Sequence, residues 1–515
     1  MRIYKNKKFF IFLILLGLII RVLALFTKGM EDVDVMVNWG NSIEQNGWNK
    51  GYKAIYFPTS HLIFFIIVKI AKLVPIDVFT IFAIFRFSIE VLILLALLFF
   101  LKYKILNQFT VIFIWLNPLF LVLSLSGYTD NFSLLLFLNV VLSLNIFAQS
   151  KNKLYLFVAS LSLSLFIFLK PQTLVLSVFL ILFSFIFIIF TKKLKLNYNE
   201  ILIVIIPLIM TALFYSSLLS SEKKLDCSGN LGPITISSLN NPSLVEWNIC
   251  IKKELVGIKY PKTGPEICLT ENYEAFAPIG SAGFCIRKYE YFNPRFVVDY
   301  FSTGFKILKN QVLNGTAEHM PSYSANMPNI WHIYVINSST YDSSKEVWFY
   351  KATNSFNKFI LYANLLIILI LTTIMLYINR KIINNWLKLF IFSGFFITFN
   401  IPLFSTLAHE NHLALGTLFA ILLTYILKDA NFKLNNLLVL ILSTSLAINI
   451  SNLYLLPLWL ESNFVFLNWL HYIFNSLFNV FNINIISYLV TVISVLLIIS
   501  FFYTSLKVKK LLTKD

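Results

Sequence analysis

Charge is scarce in this sequence. Asp, Glu, Lys and Arg supply only 13% of its 515 residues, and just 24 residues are acidic against 42 basic. A water-soluble domain of this length needs far more polar surface, so the soluble globular classes are excluded at the outset. Cysteine is nearly absent, with four residues and no Cys-x-x-Cys spacing among them, which argues against a structural zinc site. The first apolar run, Phe9 to Phe26, follows the basic stretch MRIYKNKK but carries no small-residue cleavage site, and it reads as a retained anchor rather than a signal peptide. There is no internal repeat, and no low-complexity tract beyond a bias to Asn, Lys, Ile and Phe.

What is present in quantity is hydrophobic. Apolar residues make up 58% of the chain, aromatics 17%, and the mean hydropathy is +0.77. Runs long enough to cross about 30 Å of hydrocarbon recur from end to end. The net charge of +18 would suggest nucleic acid in a soluble protein. Here Lys and Arg fall in short gaps between apolar runs, as cytoplasmic loops do, and no nucleic-acid partner is expected.

Placing those gaps on the cytoplasmic side gives a topology. The gaps are RIYKNKK at the start, KYK at 102–104, KNK at 151–153, KKLK at 192–195, NRKIINNWLK at 379–388, KDANFK at 428–433 and KVKKLLTKD at the end. Between them lie about twelve expected spans: 9–26, 79–101, 108–125, 131–148, 154–169, 172–190, 200–218, 358–378, 387–404, 413–427, 437–455 and 485–505. Both termini are then cytoplasmic. The stretch His61 to Val74 is short, carries Lys69 and Lys72, and is expected as an interfacial or re-entrant helix on the outer face. The expected class is an all-α polytopic membrane protein, in a cell membrane or an endoplasmic-reticulum-type membrane.

Three regions follow. Residues 1–218 form an N-terminal membrane module whose first external loop is 27–78; 219–357 is a polar extracytoplasmic insertion; 358–515 carries the C-terminal spans. All four cysteines, Cys227, Cys250, Cys268 and Cys285, fall in the insertion. Their confinement to the external face is the pattern of disulfides in an oxidising compartment, and three pairings are open.

Polar residues bordering the spans gather on the same face. They are Glu31, Asp32 and Asp34 in GMEDVDVMVNWG; YFPTSH at 56–61, with Tyr56, Pro58 and His61; NPLFLVLSLSGYTDN at 117–131, ending in Tyr128, Asp130 and Asn131; KPQ at 170–172, with Lys170 and Gln172; and HENH at 409–412, with His409, Glu410 and His412. Ionisable groups at membrane depth are costly and mark functional sites by default. Plainer roles exist for each. Lys170 before Pro171 would snorkel to the interface, Asp130 would cap a helix beginning near Phe132, and the histidines at i and i+3 are weak evidence for a metal.

In their order and sidedness these pieces resemble the GT-C superfamily of membrane glycosyltransferases, which use polyprenyl-phosphate-linked sugars. The nearest likeness is to the dolichyl-phosphate-glucose-dependent glucosyltransferases of N-glycan assembly and to bacterial and archaeal polyprenyl-phosphate sugar transferases. The residues that carry it are Asp32 with Trp39 seven positions on, YFPTSHL where the family often has Tyr-Pro-Pro-Leu, NP followed by GYTDN, KPQ and a late His-Glu pair. The DVD at 32–34 is also similar to the Asp-x-Asp of the first GPI mannosyltransferase. The resemblance runs from about 9 to 427 and departs from the family in its single proline and in the cysteine-bearing insertion.

The resemblance implies a GT-C fold with interfacial helices in the first external loop. It implies an inverting transfer of a glucose or mannose unit to a lipid-linked glycan or other glycoconjugate, with no cofactor and no metal. Such a reaction needs a carboxylate to deprotonate the acceptor and cations or His donors to receive the departing phosphate. The acid cluster supplies the first, Asp32 being favoured by its spacing to Trp39 and Asp34 being a helper or a helix N-terminal charge. Lys170, Gln172, His409, Glu410, His412, Asp130 and Tyr128 are candidates for binding the donor phosphate or the substrate, with Arg86 and Arg287 weaker candidates for the phosphate. Trp39, Tyr56, Pro58 and His61 are candidate acceptor or loop contacts.

Two other readings compete. A transporter or lipid flippase would place charges near the midplane and show paired half-repeats, and neither pattern is evident. An O-antigen ligase or polymerase would rely on Arg and His in the large loop, where 219–357 offers Arg287, Arg295, His319 and His332.

Overall fold

The computed structural model describes residues 7–26, 29, 31–52, 57–170, 173–182, 198–219, 231–236, 247–252, 273–276, 284–287, 329–331, 354–379, 386–404, 410–427, 430–450 and 483–511, the strands as backbone. Helices dominate. They are α1 (Lys7–Val22) followed by a 3-10 turn (Leu23–Phe26), α2 (Glu31–Gly51), α3 (Pro58–Leu73), α4 (Val78–Lys102), α5 (Gln108–Trp115), α6 (Pro118–Ser126), α7 (Asp130–Ser150), α8 (Lys153–Ile167), α9 (Thr173–Leu182), α10 (Tyr198–Leu219), α11 (Asn354–Asn379), α12 (Trp386–Phe404), a 3-10 turn (Glu410–Leu413), α13 (Ala414–Leu427), α14 (Ala430–Ile450) and α15 (Ile483–Leu511).

A helix lies over each of the twelve apolar stretches, the described parts of 172–190 and 437–455 ending at Leu182 and Ile450. Among the described residues three helices, α4, α7 and α10, are long and apolar enough to cross a membrane, or four if α5 and α6 together make one crossing. Their surroundings differ. Helix α7 is buried round most of its circumference, whereas Ile205, Ile206, Ile209 and Met210 on α10 are exposed. An apolar helix with an uncovered apolar surface suits a lipid environment better than water.

Polar residues at the start of several helices explain where the apolar runs are cut. Asp77 Oδ2 accepts from Phe79 N at 2.9 Å and Thr80 N at 3.2 Å to open α4. Asn107 does the same for α5 through Thr110 N, and Asn152 for α8 through Leu154 N. Each such cap satisfies amide groups that have no partner within the helix, an effect of about 1 kcal/mol. The stretch 108–125, expected as one straight span, is two helices bent by 40°. Pro118 lacks an amide donor, and Asn117 starts a new helix by accepting from Leu119 N, so the break follows from the Asn-Pro pair.

The chain divides into two compact units. The first comprises Met1–Asn41, Lys53–Thr211 and Asn310–Asp515, and the second Ser42–Tyr52 and Ala212–Lys309. At the centre of the first unit Phe137 on α7 stacks on Phe390 of α12, with centroids 5.8 Å apart, and meets Phe419 of α13 at 4.4 Å and Phe166 of α8 at 6.3 Å. Asn117 Nδ2 donates to Ser443 Oγ at 3.1 Å, joining the break between α5 and α6 to α14. Asn329 Nδ2 donates to Pro402 O and Trp331 Nε1 to Phe404 O, so these two residues occupy carbonyls at the end of α12 that have no partner inside the helix.

The second unit adds strands to an otherwise helical chain. β1 (Leu231–Ile236) pairs antiparallel with β2 (Trp247–Lys252), and β3 (Tyr273–Phe276) with β4 (Phe284–Arg287). Cys250 lies opposite Pro233 and Cys285 opposite Ala275, on strands β2 and β4 that adjoin each other. Cys227 and Cys268 lie outside the described residues.

Candidate functional site

Lys170 stands in the short link between α8 and α9. Its backbone is fixed by Thr173, whose Oγ1 accepts from Lys170 N at 3.0 Å and donates to Lys170 O at 2.7 Å. The carbonyls just before it are occupied by the start of α3: Thr59 N donates to Phe168 O at 3.0 Å and Ser60 Oγ to Leu169 O at 2.8 Å. That gives YFPTSH a local logic. Pro58 begins the helix where no amide donor is needed, and the next two residues carry donors into the frayed end of α8.

Lys170 does not reach out to an interface. Its ammonium donates to Asp130 Oδ2 at 3.0 Å, with the two side chains 5% and 12% exposed. Asp130, expected to cap a helix beginning near Phe132, is instead itself the first residue of α7, and its carboxylate is engaged by Lys170. Thr129 at the N-cap makes no side-chain cap either.

The acidic segment reaches the same turn. Gly29 and Gly127 both have left-handed backbones, with φ of 97° and 85°. A β-carbon at Gly127 would come within 2.9 Å of Val33 Cγ2 and 3.0 Å of Arg86 Nη1. One at Gly29 would meet Ser126 O at 2.9 Å. Gly29, Val33, the turn 126–127 and Arg86 therefore pack with no room for a side chain at either glycine. Arg86 secures the turn by donating to Leu125 O at 3.2 Å.

Residue 32 falls in the α2 register of Met36 and Trp39, both buried, whereas Asp34 is half-buried and Val35 and Asn38 are exposed. Trp39 stacks on His61 with centroids 4.9 Å apart. His61 is fully buried, and its Nδ1 lies 3.3 Å from Phe57 O; a carbonyl only accepts, so this contact puts the proton on Nδ1. Helices α2 and α3 touch where a β-carbon on Gly40 would come within 2.5 Å of Phe64 O.

Beneath this lies a charged group that sequence reasoning missed. Glu90 Oε2 accepts from Arg21 Nε, and Glu90 Oε1 from Asn131 Nδ2, both at 2.5 Å. Arg21 also donates to Trp115 O at 3.0 Å and lies over the Trp115 ring at 3.7 Å. All three polar members are buried. Through Asn131, this group braces the residue next to Asp130.

Four of the five polar segments are thus brought together: the first through Gly29 and Val33, with 57–61, 126–131 and 168–170. In the fifth, the backbone turn Glu410–Leu413 packs on α12, α13 and α14, and His412 is half-buried. Tyr128 is buried in the turn before Asp130. Tyr56, Gln172 and His409 lie outside the described residues, as do the side chains of Asp32 and Glu410. The arrangement joins the start of an acid-bearing helix, a lysine–carboxylate pair and two buried arginines in a low-dielectric surround, where charges act strongly on a bound ion or dipole. Compared with protein-family models, with curated proteins and with solved structures, the chain matches none.

Proposed function

We propose that this chain is an integral-membrane glycosyltransferase of the GT-C type, with twelve spans, both termini cytoplasmic and the site on the extracytoplasmic face. It moves glucose or mannose from a polyprenyl-phosphate donor to a lipid-linked glycan or another glycoconjugate. The observation that carries the reading is the meeting of the acidic segment 29–34 with the 126–131 turn and the Lys170–Asp130 pair. In the transfer, an acceptor hydroxyl oxygen attacks the anomeric carbon while its proton passes to a carboxylate, Asp32 by its register with Trp39. The bond from that carbon to the phosphate oxygen breaks, and the electron pair leaves with the lipid phosphate. Arg86, at the junction of the acidic segment and the turn, and the histidines of HENH are the cations and donors for that leaving group.

A transporter reading gains support from the buried Arg21–Glu90 pair, since ionisable groups inside apolar helices also mark translocation pathways. The two readings part in one experiment. Purified protein is incubated with polyprenyl-phosphate-glucose or polyprenyl-phosphate-mannose and a lipid extract as acceptor, and products are identified by mass spectrometry. A new hexosylated lipid supports the transferase; movement of substrate across vesicles without new product supports the transporter.

A further inference from the structure

The last turn of α6, the link to α7 and the first turn of α7 carry buried polar atoms that make no hydrogen bond among the described residues: Ser124 Oγ, Thr129 Oγ1, Asn131 Oδ1 and Ser133 Oγ. Each residue is more than nine-tenths buried. Leaving such atoms unmatched is expensive, so several within one turn of each other mark a place that a polar partner completes. Chemistry narrows the partner. Both oxygens of Glu90 accept, Oε2 from Arg21 and Oε1 from Asn131 Nδ2, which leaves Asn131 Oδ1 as an acceptor on the other prong of the amide. Asp130 adds a carboxylate, also an acceptor, and its charge is already balanced by Lys170 at 3.0 Å. The Asn131 oxygen is neutral and accepts, and three hydroxyls both give and receive. That set fits a neutral ligand rich in hydroxyl groups.

We propose that the α6–α7 turn is a hydroxyl-reading subsite, in which Asp130, steadied by Lys170, and the open polar atoms of Thr129, Asn131 and Ser133 take hexose hydroxyls rather than a phosphate. The proposal deepens the transferase reading and rests on it for the natural ligand. It moves Lys170 from the phosphate to the sugar side of the site, as the positioning residue for Asp130.

Purified full-length protein in a polyoxyethylene detergent, which carries no sugar, is titrated with octyl glucoside and octyl mannoside below their micellar concentrations, and separately with octyl phosphate. Thr129→Val and Ser133→Ala keep nearly the same volume and remove one hydroxyl each. The expected result is saturable binding of at least one hexoside, weakened about 3- to 10-fold by each substitution, the range for one neutral hydrogen bond, with octyl phosphate binding unchanged. Absence of hexoside binding, equal hexoside binding by both variants, or loss of octyl phosphate binding in them overturns the subsite. Transfer from polyprenyl-phosphate-hexose is measured on the same samples. Hexoside binding that depends on these residues without transfer sinks the transferase and leaves the subsite; transfer that ignores them does the reverse.

Discussion

The Lys170 ammonium donates to the Asp130 carboxylate at 3.0 Å across a sequence separation of 40 residues, in a setting where both side chains are largely buried. Removing one partner of such a pair strands the other charge, at a cost of about 3–5 kcal/mol, whereas removing both costs much less. Lys170→Met and Asp130→Asn should each lower the melting temperature in detergent sharply, and the double variant should recover most of the loss. Additive losses in the double variant would mean that the two side chains are not coupled.

Gly29, Gly47 and Gly127 all have left-handed backbones, but only two are crowded. Alanine at Gly47 meets nothing within 4 Å, but with φ 76° and ψ 169° it would sit in a region essentially confined to glycine and should cost only that backbone penalty of roughly 1–3 kcal/mol. Alanine at Gly127 or Gly29 adds a clash with Val33 or Ser126 and should destabilise more. Thermal unfolding of the three variants gives the ranking, and equal losses would contradict the close approach of the acidic segment to the turn.

The polar segments were legible because ionisable and helix-breaking residues stand out in a chain so poor in charge. Asp130 and Lys170 were both candidates; their pairing was not, since nothing local relates residues 40 apart. Arg21 and Glu90 were passed over for a physical reason. An Arg near the end of an apolar run reads as an interfacial anchor, and a Glu in mid-span shows no partner at helical spacing; its partners lie 69 and 41 residues away. The break at Asn117 and Pro118 had a signal in the sequence, a capping residue followed by proline, which the surrounding hydropathy concealed. The contribution of Asn329 and Trp331 to the end of α12 had none.

Topology is open to direct chemistry. Cysteine in place of Lys102 or Lys153, both exposed ends of helices, should be protected from an impermeant thiol reagent in intact cells. Cysteine in place of Asn38, exposed on α2, should be labelled. Labelling is scored against the unsubstituted chain, which has its own four cysteines. Equal labelling at the three positions would remove the sidedness on which the site assignment depends.

Disulfides in the insertion are checked by mass mapping of reduced and non-reduced digests. Two bridges among Cys227, Cys250, Cys268 and Cys285 are expected, and four free thiols would place the segment in a reducing compartment.

The central claim is that the acidic segment supplies the base. Asp34 is half-buried next to exposed Val35, while residue 32 shares the register of buried Met36 and Trp39. Asp32→Asn keeps the size of the side chain but cannot take a proton at neutral pH, so turnover of polyprenyl-phosphate-hexose should fall by at least ~10²-fold, with expression and donor binding retained. Asp34→Asn should cost less. Near-normal transfer by Asp32→Asn with loss in Asp34→Asn would reverse the roles, and full activity in both variants would contradict the account, leaving Asp130 or Glu410 as the base.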